Sequence, residues 1–287
     1  MGMVETVGLV LHPQRDSKVA IDTIVEWARL HGVTVYGLPD EVGRIDCSAV
    51  PVDVETLVDR ADLLVSLGGD GTMLRTMRLI AGRPTPILGV NLGKLGFLAE
   101  IDVDELSSAL SAIDNHHYTV EPRMAVRVTL PSGETVTAFN DIALVRTPGD
   151  GLSAVAITVE RHPFVRYAAD AVIVATPTGS TAYSFSAGGP IVSPTVEGFL
   201  VVPAAAHSAF NRALVLSADE RVDLEVLPTS GRLAMEVDGA IGAHLSPGDQ
   251  VTVTAIRAFA WVVRLGTTSF YERARRKLRV NGSAEVD

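Results

Sequence analysis

The chain has 287 residues, of which 47% are hydrophobic and 20% charged, and its formal net charge is −10 at pH 7. These proportions exclude a disordered protein and favour a globular one, and the length favours two domains. The acidic balance argues against a nucleic-acid partner. A single cysteine, Cys47, excludes a disulfide framework and a cysteine-rich zinc site. Because the sequence has no long apolar run and no signal-peptide pattern, we expect a cytoplasmic protein without a membrane partner.

Strands and helices alternate in the first part of the chain. Residues 7–11, 33–38 and 87–90 are short apolar runs typical of buried strands. Between the first two, apolar residues recur at helical intervals until Gly32 ends the pattern. Such alternation predicts an α/β domain with a parallel sheet, which binds ligands at the carboxyl ends of its strands.

A glycine-rich turn carries an acidic residue at one of these strand ends. The apolar run 63–67 leads into Gly68-Gly69-Asp70-Gly71-Thr72, and helical spacing continues to Ile80. Glycines let an anion approach the backbone, and the start of a helix offers unpaired N–H groups, so the turn suits a phosphate. A carboxylate beside a phosphate needs a cation, a proton or a hydroxyl about to attack. We therefore interpret the turn as a phosphoryl-transfer site containing Asp70; the alternative is an aspartate that only caps the helix.

The familiar phosphate loops do not occur in this sequence. Neither G-x-x-x-x-G-K-[ST] nor a G-x-G-x-x-G that follows a strand is present, which excludes a P-loop enzyme and an ordinary Rossmann domain. After the next strand, residues 91–98 contain two glycines and Lys94, and they form either a second wall of the same cleft or a plain glycine loop with a solvated lysine. Residues 102–113 have the spacing of one amphipathic helix.

The pattern changes to alternating strands further along the chain. Runs with period two begin near Met124 and are separated by turn signals such as Asp238-Gly239. They predict an antiparallel β domain of two packed sheets. We expect an α/β domain at residues 1–115, a β-rich domain at 116–268 and a C-terminal segment at 269–287. That segment is helix-compatible and basic; it is either a solvated face or returns to the first domain to add positive charge to the phosphate cleft.

One stretch of the β-rich part is not strand-like. Nearly every side chain of residues 175–190 is small or carries a hydroxyl, which suits a flat ring lying against the backbone, with Tyr183 able to stack on it. The alternative is a Ser/Thr-rich loop that forms hydrogen bonds within itself.

Other polar residues of this part are candidates for binding. Asn140-Asp141 can bind a ribose or form a turn. Asp170 lies in an apolar context and needs a partner, whereas Asp238 is most simply a turn residue.

These motifs resemble those of the NAD kinases in order and spacing. Residues 68–72, 91–97, 140–141 and Thr176-Pro177-Thr178-Gly179-Ser180-Thr181-Ala182-Tyr183-Ser184 carry the resemblance, which extends from the first strand to about Thr267. The glycine–aspartate motif is shared with diacylglycerol-type lipid kinases and, more loosely, with phosphofructokinases. The longer stretch is far more specific to NAD kinases.

The resemblance implies transfer of a phosphate from ATP or polyphosphate, with Mg²⁺, to the 2′-hydroxyl of the adenosine ribose of NAD. By this likeness Asp70 is the catalytic residue, and the backbone of Gly69, Gly71 and Thr72 holds phosphates. The remaining residues that the likeness assigns to substrate binding are Arg75, Asn91, Phe97, Asn140, Asp141, Asp170, Thr181, Ala182, Tyr183, Ser186 and Asp238. Asp170 is assigned to the nicotinamide half of NAD, and a homodimer or homotetramer is implied. The metal ligands stay unknown.

Three departures and two rival functions accompany this resemblance. Asp141 stands where the family more often has Glu, Ala171 where it has Gly, and Ala206 and Ala213 where prolines are common.

Two other functions are considered. A lipid kinase with the same first domain would need a long apolar slot. A non-catalytic NAD(P)-binding sensor would not need Asp70.

Overall fold

The computed structural model describes residues 4–45, 47–80, 82–93, 96–208, 210–266 and 268–280. The chain forms two compact units, one of residues 1–122 with 260–287 and the other of residues 123–259. The domain boundaries expected from the sequence stay predictions.

The first unit alternates strands and helices. In chain order its elements are β1 Thr6–Leu11, α1 Lys18–His31, β2 Thr34–Gly37, α2 Pro39–Ile45, β3 Val50–Pro51, α3 Val54–Arg60, β4 Leu63–Gly68, α4 Asp70–Ile80, β5 Pro86–Asn91, β6 Ile101–Asp102, a 3₁₀ turn Val103–Glu105 and α5 Leu106–Asp114.

The sheet of this unit is parallel. Its strands lie in the order β5-β4-β1-β2-β3, with β6 beside β5. β1 and β4 are buried along almost their whole length, because helices cover both faces of such a sheet. Helix α1 ends as expected at Gly32, whose left-handed backbone (φ 69°) suits a residue without Cβ. Because β1, β4 and β5 are neighbouring parallel strands, their carboxyl ends lie at the same edge of the sheet.

Two local features differ from the expectation. The segment predicted as one helix over 102–113 begins instead with the 3₁₀ turn, because Asp102 and Glu105 form a capping box there before α5 starts. Helix α2 occupies a segment that the sequence pattern left as a polar connection. Its signals are Pro39 at the start, Asp40 and Glu41 in the first turn and Arg44 in the last.

The second unit is rich in antiparallel strands. The elements that follow α5 are β7 Thr119–Thr129, β8 Thr135–Ala138, β9 Asp141–Arg146, β10 Ser153–Val159, β11 His162–Ala169, β12 Ala171–Ala175, a 3₁₀ turn Thr178–Thr181, α6 Tyr183–Ser186, β13 Gly198–Ala204, β14 Leu214–Ser217, β15 Val222–Val226, β16 Leu233–Val237, β17 Ala240–Leu245, β18 Gln250–Arg264 and finally α7 Phe270–Leu278. The first four residues of β7, the last five residues of β18 and all of α7 belong to the first unit.

Two sheets form the core of the second unit. One has the order β14-β13-β12-β9-β16-β17, and in the other β11, β10, β15 and the start of β18 are neighbours. Valines, leucines and isoleucines from β9, β10, β12 and β15 meet in one buried cluster. Ala171, one of the departures from the family pattern, is fully buried in β12 opposite Ala204.

The fold class predicted from the sequence is confirmed. A parallel α/β unit precedes a β-rich antiparallel unit, and the basic C-terminal segment returns to the first unit as α7. Within the described part of the chain, no helix has the length and apolar character needed to span a membrane.

Candidate active site

The glycine–aspartate turn joins β4 to α4 as expected. A Cβ at Gly68 would lie 2.6 Å from the Thr72 Cβ, so the tight turn requires glycine there. At Gly69 the nearest heavy atom, a guanidinium nitrogen of Arg15, lies 4.0 Å from an added Cβ, and at Gly71 nothing lies within 4 Å. Packing therefore does not explain these two glycines, and their binding of a phosphate through the bare backbone stays a prediction.

The Asp70 carboxylate is held by three donors. The Leu98 N–H donates to Oδ1 and the Phe97 N–H to Oδ2, each at 3.0 Å. The Lys277 ammonium donates to Oδ2 at 3.2 Å. A Cβ at Gly96 would overlap Oδ1 and lie 2.8 Å from Cγ, so the loop approaches the carboxylate as closely as a backbone can. Asp70 is therefore more than a helix cap, since its side chain turns away from its own helix to the loop after β5.

A cavity of about 420 Å³ opens beside the turn. Its lining includes Gly69, Asp70, Gly71, Thr72 and Arg75, which the sequence singled out together. The N–H of Thr72 donates to the Gly69 carbonyl at 3.0 Å, so this group is already used inside the turn. The first N–H groups of a helix have no partner within the helix, which leaves the Gly69–Gly71 backbone as the natural anion contact.

Sequence reasoning missed three basic residues of this cavity: His12, Arg15 and Arg78. His12 and Arg15 follow β1, and β1 is the neighbour of β4 in the sheet. Residues that follow neighbouring parallel strands lie close together, so the position of His12 and Arg15 after a predicted strand was the signal that could have found them. The His12 Nδ1 accepts the Arg15 N–H at 3.1 Å. Burial, then Arg15 and Arg44, lowers the pKa of His12, so the ring is neutral at pH 7.

Arg75 is anchored from the opposite side. Its guanidinium donates to the Leu11 carbonyl at 3.0 Å and pairs with Glu41, whose other oxygen accepts the Leu11 N–H at 2.6 Å. Glu41 lies in helix α2, so the helix that the sequence pattern missed fixes a predicted binding residue. Arg75 thereby lines the cavity from a defined position, with its charge partly balanced by Glu41.

Asn91 and Phe97 are not among the residues that line the cavity beside the turn. The Asn91 amide donates to Asp102 Oδ1 at 2.7 Å and to the Gly93 carbonyl at 3.0 Å, and it lines a separate cavity of about 240 Å³. Phe97 is only 7% exposed, and its ring lies 6.4 Å from that of Phe270. Lys94, named in the sequence reasoning, lies outside the described residues. The roles predicted for Asn91 and Phe97 stay predictions.

In the second unit, Asp238 clamps the Asn140-Asp141 pair. Its carboxylate accepts the N–H groups of Phe139 at 3.2 Å, Asn140 at 2.7 Å and Asp141 at 3.3 Å. Asp238 and Gly239 both have positive φ (47° and 79°) and form the two-residue turn between β16 and β17. Asp238 is therefore both a turn residue and the support of the pair.

The hydroxyl-rich stretch packs against the same pair. A Cβ at Gly179 would lie 2.7 Å from the Asn140 Cα, so only glycine permits this approach. The Thr176 hydroxyl donates to the Phe139 carbonyl at 2.5 Å and the Ser180 hydroxyl to the Pro177 carbonyl at 2.7 Å. Part of the stretch thus bonds to the protein itself, as the alternative interpretation expected.

The residues predicted to contact adenine lie at the end of this stretch. Thr181, Ala182 and Tyr183 are half-buried, and Ser186 is exposed. Burial, followed by the charges of Glu236, Asp170 and Asp141, raises the pKa of Tyr183, so its hydroxyl stays protonated at neutral pH.

Asp170 forms an ion pair with Arg146. Its Oδ1 lies 2.6 Å from Arg146 Nε, which is the partner that a carboxylate in an apolar context requires. Both side chains of this pair remain about half exposed.

Asp141 is the most perturbed carboxyl of this cluster. It is 4% exposed, and burial, then Asp238 and Glu236, raises its pKa to about 7, although the Tyr183 N–H bonds to the charged form. A carboxyl with such a pKa is half protonated at neutral pH, so it can donate as well as accept a hydrogen bond.

Asp141 should make stability depend on pH. Because its folded-state pKa is above the ordinary value, the folded protein binds the extra proton, and the free energy of unfolding falls as pH rises from about 4 to about 7. Asp141→Asn mimics the protonated carboxyl and should remove this part of the decline. Urea unfolding of both proteins at several pH values measures it. Equal pH dependence in the two proteins would show that Asp141 titrates normally.

A parallel α/β unit whose glycine–aspartate turn lines a cavity with several arginines is the arrangement expected of a phosphotransferase. Two family models narrow the class. The ATP-NAD kinase N-terminal domain matches residues 7–118, and the ATP-NAD kinase C-terminal domain matches residues 139–265.

Whole-chain relatives agree with these models. The NAD kinase of Moorella thermoacetica is 36% identical over 289 residues, which cover 99% of this chain and 92% of that one. NAD kinase 1 of Streptomyces avermitilis is 36% identical, covering 96% and 88%. Among solved structures, yeast NADH kinase complexed with NADH superposes with a TM-score of 0.87 at 28% identity, covering 100% of this chain and 91% of that one. An NAD kinase from Archaeoglobus fulgidus in complex with ATP gives 0.75 at 25% identity, covering 96% and 100%.

The chain belongs to the NAD kinase family. The resemblance recognised in the sequence is confirmed. None of these findings supports the lipid kinase or the non-catalytic sensor.

Proposed function

We propose that Asp70 is the general base of NAD phosphorylation at the 2′-hydroxyl of the adenosine ribose. The Asp70 carboxylate takes the hydroxyl proton while the 2′-oxygen forms a bond to the γ-phosphorus of ATP. The bond from that phosphorus to the β–γ bridging oxygen breaks, ADP leaves, and NADP is formed. Asp70 then releases the proton to solvent. The observation that carries this proposal is a carboxylate held by fixed donors at the edge of a basic, glycine-lined cavity.

The cavity suits the phosphates of ATP. Backbone N–H groups of Gly69 and Gly71 contact the anion, and Arg15, Arg75 and Arg78 neutralise its charge. Thr72 supports the turn through its own hydrogen bond to Gly69. Phosphoryl transfer needs positioning and charge neutralisation more than covalent chemistry, and this arrangement supplies both.

Magnesium is proposed as the accompanying cation. The described residues contain no group of three or more His, Cys, Asp or Glu that could enclose a metal ion. Mg²⁺ typically keeps several waters and binds through substrate phosphates. Bound in that way, the ion would neutralise part of the charge on ATP.

The second unit is proposed to bind NAD. Asn140 and Asp141 grip a ribose, and Thr181, Ala182 and Tyr183 contact adenine. Asp170, Ser186 and Asp238 of the same unit are proposed as further NAD contacts, and Asn91 and Phe97 of the first unit as further substrate-binding residues. We also propose a cytoplasmic homodimer or homotetramer, in which Asp170 contacts the nicotinamide half across a subunit boundary.

Tyr183→Ala should weaken NAD binding by about 1–3 kcal/mol through the loss of stacking on adenine. Tyr183→Phe keeps the ring and serves as the matched control. Titration of each protein with NAD in the absence of ATP measures the change. Normal affinity in the alanine variant would place adenine elsewhere.

A substrate-crossing assay tests the function as a whole. The protein is mixed with Mg²⁺ and either NAD or NADH, each with either ATP or polyphosphate, and the product is read with an NADP-specific dehydrogenase. We expect NADP from NAD and ATP. NAD binding without any NADP would contradict the proposal, and a phosphate found at another hydroxyl would contradict the role of the 2′-oxygen.

A further inference from the structure

One face of helix α7 is fastened to the first unit by a buried ion cluster. The Arg273 guanidinium lies 3.0 Å from Glu100 Oε2 and donates to the carbonyls of Ala99 and Thr268. The same Glu100 oxygen lies 2.6 Å from Arg264, and the Glu100 side chain is fully buried. Buried charges are tolerated only when their partners are complete, so this cluster determines where the helix lies.

Lys277 follows Arg273 by one helical turn and therefore lies on the same face. Its ammonium lies 4.5 Å from the centre of the Phe97 ring and 3.2 Å from Asp70 Oδ2. Phe97 also donates its N–H to Asp70, so the ring that supports the lysine belongs to the loop that orients the carboxylate. Arg275, Arg276 and Lys277 are all exposed residues, and about a third of the Lys277 side chain remains accessible to solvent. What distinguishes Lys277 is the contact of its ammonium with Asp70 and with the Phe97 ring.

We propose that Lys277 is a positioning residue for phosphoryl transfer, whose ammonium holds the Asp70 carboxylate in the orientation that receives the 2′-hydroxyl proton. The inference rests on the proposed role of Asp70 as base. A carboxylate has about four acceptor positions. Phe97, Leu98 and Lys277 occupy three of these positions and leave acceptor capacity for the substrate. The C-terminal helix thus completes a site whose other parts come from β4, α4 and the loop after β5.

Lys277→Met tests the inference, because methionine still packs on Phe97 but cannot donate. We expect kcat to fall by about tenfold to a hundredfold with little change in KM for NAD, since a misplacement of about 1 Å costs up to about 10²-fold. Lys277→Arg should recover most of the loss. The matched control is Arg275→Met, which removes the same charge from a nearby exposed position of α7 and should leave kcat unchanged. If the methionine variant does not fold, Lys277→Gln replaces it.

A double-mutant cycle separates positioning from general support of the fold. In an Asp70→Asn background, Lys277→Met should cause little further loss of kcat, because the group that it positions is already inactive. Two results would overturn the inference and leave the role of Asp70 intact. One is that Lys277→Met lowers kcat by the same factor in the Asp70→Asn background as it does alone. The other is that Lys277→Met alone is as active as Arg275→Met. Normal kcat in Asp70→Asn alone would overturn the base itself, so the two failures are distinguishable.

Discussion

Asp70→Asn is expected to lower kcat by about 10²-fold or more while NAD affinity changes by no more than a few-fold, because an amide accepts no proton at neutral pH. Affinity is kept because the proposed adenine contacts come from other residues, and because the asparagine amide oxygen can still accept a hydrogen bond from the 2′-hydroxyl. Steady-state kinetics and NAD titration on the same preparation measure both quantities. Unchanged turnover would remove Asp70 from the chemistry.

The structure shows what this variant changes besides the base. The carboxylate accepts N–H groups with both of its oxygens, from Leu98 and from Phe97. Asparagine has one oxygen, so its NH₂ group must face one of these donors, and the unfolding free energy should drop by about 1–3 kcal/mol. Turnover is therefore compared well below the unfolding temperature. Asp104→Asn, at an exposed carboxylate of the same unit, is the control and should retain both activity and stability.

Gly96→Ala is expected to lower kcat by about 10²-fold although no charged residue is replaced, because a small displacement of the reacting groups is enough for such a loss. The added Cβ would overlap Oδ1 of Asp70 and lie 2.8 Å from its Cγ. Either the carboxylate rotates away or the loop that carries the N–H groups of Phe97 and Leu98 moves. Both changes misplace the base, and steady-state kinetics measures the loss.

The control for this substitution is Gly43→Ala in helix α2. Nothing lies within 4 Å of a Cβ at Gly43, so alanine should leave kcat unchanged and stabilise the protein by about 0.5–1 kcal/mol, because glycine inside a helix is costly. Thermal unfolding and kinetics of both variants are compared. A fully active Gly96→Ala protein would show that the contact between Gly96 and Asp70 does not constrain the site.

Local patterns carried much of the prediction. Apolar runs of strand length, the left-handed stop at Gly32 and the period-two runs after Met124 depend on neighbouring residues only, and they led to the correct fold class. The order of the glycine–aspartate turn and the longer hydroxyl-rich motif led to the family. Helix α2 was missed because it is short and largely polar, and its signals at Pro39, Asp40 and Arg44 are capping signals rather than periodic ones.

The sequence by itself determined the two kinds of architecture, the strand–turn–helix around Asp70 and the family, because each of these depends on residues close together in the chain. Only the tertiary structure decided which distant groups meet. Lys277 reaches Asp70 across more than two hundred residues because the buried Arg273–Glu100 pair sets the position of α7. Arg15 joins the cavity because β1 and β4 are neighbours in the parallel sheet. Pairing between distant segments follows from the burial of charge and the order of strands, which no local pattern in the chain encodes.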